Sequence, residues 1–68
     1  MSADLNTARY QWVLEALGER GARTWHVARK VGTTTATARR RLAVLEAAGK
    51  VRRNERYTAT NDIYWERA

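Results

Sequence analysis

Only Gly32 and Thr33 separate two stretches of helical periodicity in this chain, and that short joint limits the folds open to it. The first stretch runs from Trp25 to Val31 behind Thr24, which is placed to cap it. The second opens behind Thr34 and runs from Thr35 to Ala48, with Gly49 as its stop. Ser, Thr, Asn or Asp ahead of a periodic segment offers an oxygen to a backbone N–H that the helix leaves orphaned. A joint this tight needs one residue with positive φ. Gly32 adopts that conformation almost freely, where any side chain costs about 1 kcal/mol in strain. The two helices must therefore cross closely, and each needs an apolar stripe on its inner side.

Both have one. At about 100° per residue, Ala38, Leu42 and Leu45 fall on a single narrow face of the longer helix. Ala36, Arg40, Ala43 and Ala47 fall opposite, with Thr37 and Arg39 on the flanks. Small residues allow close approach to a surface, and the long donors among them can reach into it. Arg39, Arg40 and Arg41 are consecutive. A helix that is merely soluble usually intersperses acids among its cations, because adjacent like charges repel. In the shorter helix Val27, Ala28 and Val31 face inward, while Trp25 and Arg29 point outward together. That pair is either a surface cation–π contact or a phosphate-touching pair. His26, the single histidine, has no Cys, second His or acid at ligand spacing and reads as a partly exposed side chain.

Upstream, about Asn6 to Leu17 reads as another helix, since Tyr10, Val13, Leu14 and Leu17 recur at i, i+3, i+4 and i+7. Leu5, Ala8, Trp12 and Ala16 form a second apolar stripe about half a turn away. A helix apolar on two sides packs against two things: its own core, and either the C-terminal strand around Trp65 or a second copy of the chain. The same patch meeting itself gives a symmetric dimer. Gly18 and Gly21 bracket the turn that follows, and Ala22-Arg23 is a short extended piece. After Gly49 the period changes. Lys50 to Thr58 alternates, Thr60-Asn61-Asp62 signals a turn, and Ile63-Tyr64-Trp65 is β-prone. A C-terminal hairpin is expected, with Val51 packed inward, Arg52, Arg53 and Arg56 near its tip, and a loop of two to four residues within Ala59–Asp62.

The 68 residues form a single domain spanning 1–68, mainly α with a small hairpin and near the lower size limit for one hydrophobic core. There is no cysteine, hence no disulfide or thiolate-held zinc, and small unstapled chains often gain stability by oligomerising. No apolar run reaches membrane-span length and no leader pattern is evident, so no membrane partner is expected and the cytoplasm is the expected compartment. The net charge is +6, but its placement says more. Arg20 to Arg56 holds eleven Lys or Arg against Glu46 and Glu55, a local +9 that leaves −3 for the two ends together. A basic centre between mildly acidic ends points to a polyanionic partner at a defined surface. No nucleophile–base–orienter set, paired carboxylates or phosphate loop is present, so no enzyme and no cofactor is expected.

Two helices across a tight glycine turn are a helix-turn-helix, whose second member reads DNA in proteins that use the motif so. Helix, extended piece, helix, turn, helix, hairpin is the winged helix-turn-helix order. The segment Gly32-Thr33-Thr34 … Thr37-Ala38-Arg39-Arg40-Arg41-Leu42 … Leu45-Glu46 … Gly49-Lys50-Val51-Arg52-Arg53, with Val27-Ala28 … Val31 upstream, resembles MarR- and ArsR-type and many archaeal regulators. In size the chain is similar to small winged-helix repressors of archaeal viruses and plasmids. The resemblance covers about Tyr10 to Trp65. It implies that Thr35, Ala36, Thr37, Arg39 and Arg40 face the major groove and that Arg52, Arg53 and Arg56 belong to the wing. Thr34 and the helix N-terminus are placed for a phosphate. With no separate ligand-binding domain and no Cys/His cluster, no small-molecule effector is expected. The expected function is a sequence-specific regulator of transcription, a repressor bound as a homodimer to an inverted repeat of double-stranded DNA. The dimer would form through Leu5, Ala8, Trp12 and Ala16. The alternative is a winged-helix interaction module whose basic face docks an acidic protein.

Overall fold

A computed structural model of the chain describes residues 7–58 and 62–68. Within them the order is α1 (Ala8–Leu17), β1 (Ala22–Arg23), α2 (Thr24–Val31), α3 (Thr35–Ala47), β2 (Val51–Arg53) and β3 (Tyr64–Arg67). The strands form one antiparallel sheet with β3 in the middle, in the order β1-β3-β2. Among the described residues the fold is thus three helices and a three-stranded sheet.

The helix signals act as local chemistry requires. Thr34, with extended backbone, accepts the Thr37 N–H on its hydroxyl at 3.2 Å and starts α3. At the far end Gly49 takes φ 75°. Its N–H reaches Glu46 O at 3.0 Å, and the Lys50 N–H reaches Leu45 O at 2.9 Å. This paired closure satisfies carbonyls that the helix would otherwise leave open. Gly32 at φ 81° ends α2, its N–H and that of Thr33 both directed at Ala28 O. The tight joint between α2 and α3 is as the sequence requires. For α1, Thr7 is the N-cap, so the helix begins at Ala8 rather than near Asn6, which lies outside the described residues.

The core is formed by Val13, Ala16 and Leu17 of α1, Ala22 of β1, Val27 and Ala28 of α2, Ala38, Leu42 and Leu45 of α3, Val51 of β2 and Trp65 of β3. Tyr10, Leu14, Val31 and Ile63 pack against its edge. The inward stripe predicted for α3 is wholly buried. On α1 the second apolar stripe divides: Ala16 belongs to the core, whereas Ala8 is exposed and Trp12 is 56% exposed. The C-terminal strand therefore leaves Trp12 uncovered. Leu5 lies outside the described residues.

Thr24 does something other than cap α2. Arg23 occupies the N-cap position with no side-chain cap bond. Thr24 is buried, and its hydroxyl accepts the Trp65 indole N–H at 2.8 Å while donating to Ile63 O at 3.2 Å. The buried indole thus has the partner its N–H requires, and β3 is tied to the start of α2. At the other end of the strand, the Arg67 guanidinium donates twice to Leu14 O, at 3.1 and 2.8 Å. Gly21 is required by crowding as well as by its φ of 85°. A Cβ there would lie 2.4 Å from Trp65 O.

The structure supplies the hairpin register that the sequence leaves open. Val51, Arg52 and Arg53 pair with Arg67, Glu66 and Trp65, so the return strand extends beyond Trp65. The Asn54 N–H still reaches Tyr64 O at 2.8 Å, and the loop expected within Ala59–Asp62 falls largely outside the described residues. The turn signal at Thr60-Asn61 lies outside the described residues.

Candidate nucleic-acid interface

On α3, the 100° step between residues fans the three arginines around the helix. Arg39 lies on the flank nearer the hairpin, Arg40 on the outward edge, and Arg41 on the flank nearer α1. Ala36, Ala43 and Ala47 fill the outward face between Arg39 and Arg40, and all three are exposed. The result is a helix face of short side chains edged by two guanidinium groups. Thr35 is exposed at the helix start beside the exposed cap Thr34, and Thr37 is half-buried one turn on.

The carboxylates are distributed so that this face keeps its charge. The three ion pairs within 4 Å among the described residues all involve sheet-side arginines. Arg23 meets Asp62 at 3.7 Å, Arg52 meets Glu66 at 2.8 Å, and Arg53 meets Glu46 at 3.0 Å. Arg39, Arg40 and Arg41 have no ion pair or hydrogen-bond partner among the described residues. Among the described residues no carboxylate neutralises their charge, the condition under which an incoming polyanion gains most by displacing counterions.

The three hairpin arginines are not equivalent. Arg53 is held on both sides: its Nε donates to Glu46 at the end of α3, and its guanidinium lies 5.2 Å from the centre of the Trp65 ring. It joins α3 to the sheet. Arg52 donates to Glu66 across the β2–β3 pair yet keeps a 67% exposed side chain. Arg56 alone of the three has no carboxylate partner among the described residues. Asn54 builds the turn that carries it, its side-chain oxygen accepting the Arg56 N–H at 3.1 Å and its carbonyl accepting from Tyr57 N–H and Thr58 Oγ1.

Two features of this face were not assigned from the sequence. Arg9, near the start of α1, lies across a cleft from Arg40 and Arg41. Its place eight residues before the end of α1 gave no hint of this, because only the docking of α1 on α3 brings it there. The pairing of Arg53 with Glu46, seven residues apart in different elements, was likewise invisible. Away from the face, Trp25 is 46% exposed and meets His26 in a tilted arrangement, their ring centres 5.4 Å apart. Among the described residues the cation–π contacts are instead Arg53 on Trp65 and Arg23 on Tyr64. Among the described residues no His, Cys, Asp and Glu grouping could hold a metal ion, and no helix is long and apolar enough to cross a membrane.

No protein-family model matches the chain, and no curated protein matches its sequence.

Proposed function

We propose that this chain is a winged helix-turn-helix regulator that binds double-stranded DNA sequence-specifically as a homodimer. The observation that carries the reading is the arginine face of α3, which has no carboxylate partner among the described residues while Glu46, Asp62 and Glu66 pair with sheet arginines. α3 would lie in the major groove. Its alanine stripe admits close approach, and Arg39 or Arg40 donates two hydrogen bonds to a guanine, worth about 1–3 kcal/mol of discrimination. Thr35, Ala36 and Thr37 face the adjoining bases or backbone. The α3 N-terminus with Thr34 holds a phosphate. Arg56 acts as the main cation of the wing, and Arg52 as a second through the exposed part of its guanidinium. Arg53 keeps the wing at its angle to α3.

One copy offers little area for tight binding, so two half-sites about 10 base pairs apart are expected. Ala8 and the exposed Trp12 supply the surface for pairing. Repression follows as the simplest consequence of occupying an inverted repeat. Binding rather than catalysis is the proposed activity, with no effector required.

The exposed Trp12 and Trp25 favour a second reading, a module that docks a partner protein. Titration with a mixed-sequence duplex at low and moderate salt separates the two. A DNA-binding domain shows affinity that falls steeply with salt; a protein-docking module shows little affinity at either. Selection on randomised duplex then reports palindromy, spacing and base preference, and a selected pool without a repeated half-site would remove the dimer from the proposal.

A further inference from the structure

The arginine face continues around α3 into a cleft of about 170 Å³ between α3 and the start of α1. Arg9, Tyr10, Thr37, Arg40, Arg41 and Val44 line it. Three of the six are guanidinium groups, two are hydroxyls, and none is a carboxylate. The broader depression beside Trp25, of about 550 Å³, differs: there Glu19 offsets Arg20, Arg23 and Lys30. Arg9, Arg40 and Arg41 have no partner among the described residues that would spend their hydrogen-bond donors.

Thr37 brings a hydroxyl, 3.0 Å from Thr34 Oγ1 and hydrogen-bonded to it, which can donate or accept. The cleft is therefore rich in donors and poor in acceptors, and a group held there must be an anion with several oxygens. At roughly 30 Å³ per water in the liquid, it has room for a phosphate.

We propose that this cleft is a phosphate site, and that in the DNA complex it grips one backbone phosphate beside the groove occupied by α3. The assignment of that phosphate to DNA rests on the duplex-binding reading above. The proposal gives Arg9 and Arg41 a role and divides the arginine triplet. Arg41 holds backbone, Arg40 sits at the boundary, and Arg39, on the opposite flank, is left as the reader of base edges. Guanidinium suits the task because its planar fork matches two phosphate oxygens at once.

Two measurements test this. Inorganic phosphate, titrated at constant ionic strength against chloride, should shift the Arg9 and Arg41 side-chain N–H resonances and the Thr37 amide in a saturable way. The Arg9→Gln/Arg41→Gln variant should lose that response. On a mixed-sequence duplex, the same double variant should weaken binding to all sequences alike and flatten the salt dependence of log K by about 0.9, the share of one phosphate. Arg20→Gln/Lys30→Gln, which also removes two charges but outside the cleft, is the control for charge loss alone and should change the slope less. Arg39→Gln should instead alter sequence preference. If phosphate leaves those resonances unmoved, the cleft is not an anion site. A salt slope in the double variant equal to that of the unaltered chain removes the backbone assignment. If the unaltered chain binds no duplex, the regulator reading fails by itself, and the phosphate titration alone decides the cleft.

Discussion

Replacing Thr24 by Val tests how the sheet is held to the helices that carry the arginine face. Valine matches threonine in shape, so packing changes little, and the backbone N–H of residue 24 still reaches Ile63 O at 3.1 Å. What is lost is the acceptor for the Trp65 indole N–H, now 2.8 Å from the hydroxyl, with Trp65 fully buried. No water can replace it without opening the core. A buried donor stripped of its partner costs about 1–3 kcal/mol. In a domain of this size each kcal/mol moves the melting midpoint by about 4–8 °C, so a loss near 2 kcal/mol should lower Tm by roughly 8–16 °C. Thr24→Ser keeps the hydroxyl and loses one buried methyl, about 0.8 kcal/mol, and should fall between the two. The assay is thermal and urea unfolding by circular dichroism on all three proteins. Adding Trp65→Phe completes a double-mutant cycle and should show coupling of about 1 kcal/mol or more between the two positions. A Thr24→Val protein within about 0.5 kcal/mol of the parent would refute the idea that this bond fixes β3 to α2.

Three further outcomes follow from the same geometry. Gly32→Ala, at φ 81° with nothing within 4 Å of the new Cβ, should cost about 1–2 kcal/mol by denaturant titration. Gly21→Ala has a similar φ but meets the Trp65 carbonyl; it should cost clearly more, and equal costs would mean that crowding at Gly21 plays no part. Arg53→Ala should reduce stability while leaving the salt dependence of DNA binding nearly unchanged, whereas Arg56→Ala should reduce that dependence by about 0.9; the reverse pattern would show that Arg53, not Arg56, contacts phosphate. Trp12→Glu should halve the particle mass seen by light scattering, and an unaltered mass would exclude α1 from the dimer contact.

The sequence made legible what is decided within a turn or two of the chain. Thr34 and Gly49 mark the ends of α3 because caps are local hydrogen-bond chemistry. Ala38, Leu42 and Leu45 were identifiable as its buried stripe because helical periodicity needs no knowledge of the partner. Gly32 and the two-residue strand Ala22–Arg23 were readable for the same reason. Thr24 misled because a threonine ahead of a periodic stretch is usually a cap, and the indole that claims it lies 41 residues away. Wing register was illegible because it depends on which residues of β3 meet β2, and Glu66 and Arg67 carry no strand signal of their own. Among the candidate site residues, the exposed face of α3 followed from geometry. The division of the wing arginines did not, since the bonds of Arg52 and Arg53 to Glu66 and Glu46 join different elements. The Arg9 cleft likewise exists only once α1 is docked on α3.

The most direct test of the DNA-binding account is a nitrogen–proton correlation map of the labelled chain, titrated with a mixed-sequence duplex at low salt. The account predicts that the largest shifts fall on Thr34 to Arg41 and on Arg56, with Trp25 and His26 little changed. Shifts concentrated at Trp12 and Trp25, or none at all while the duplex is in excess, would contradict it.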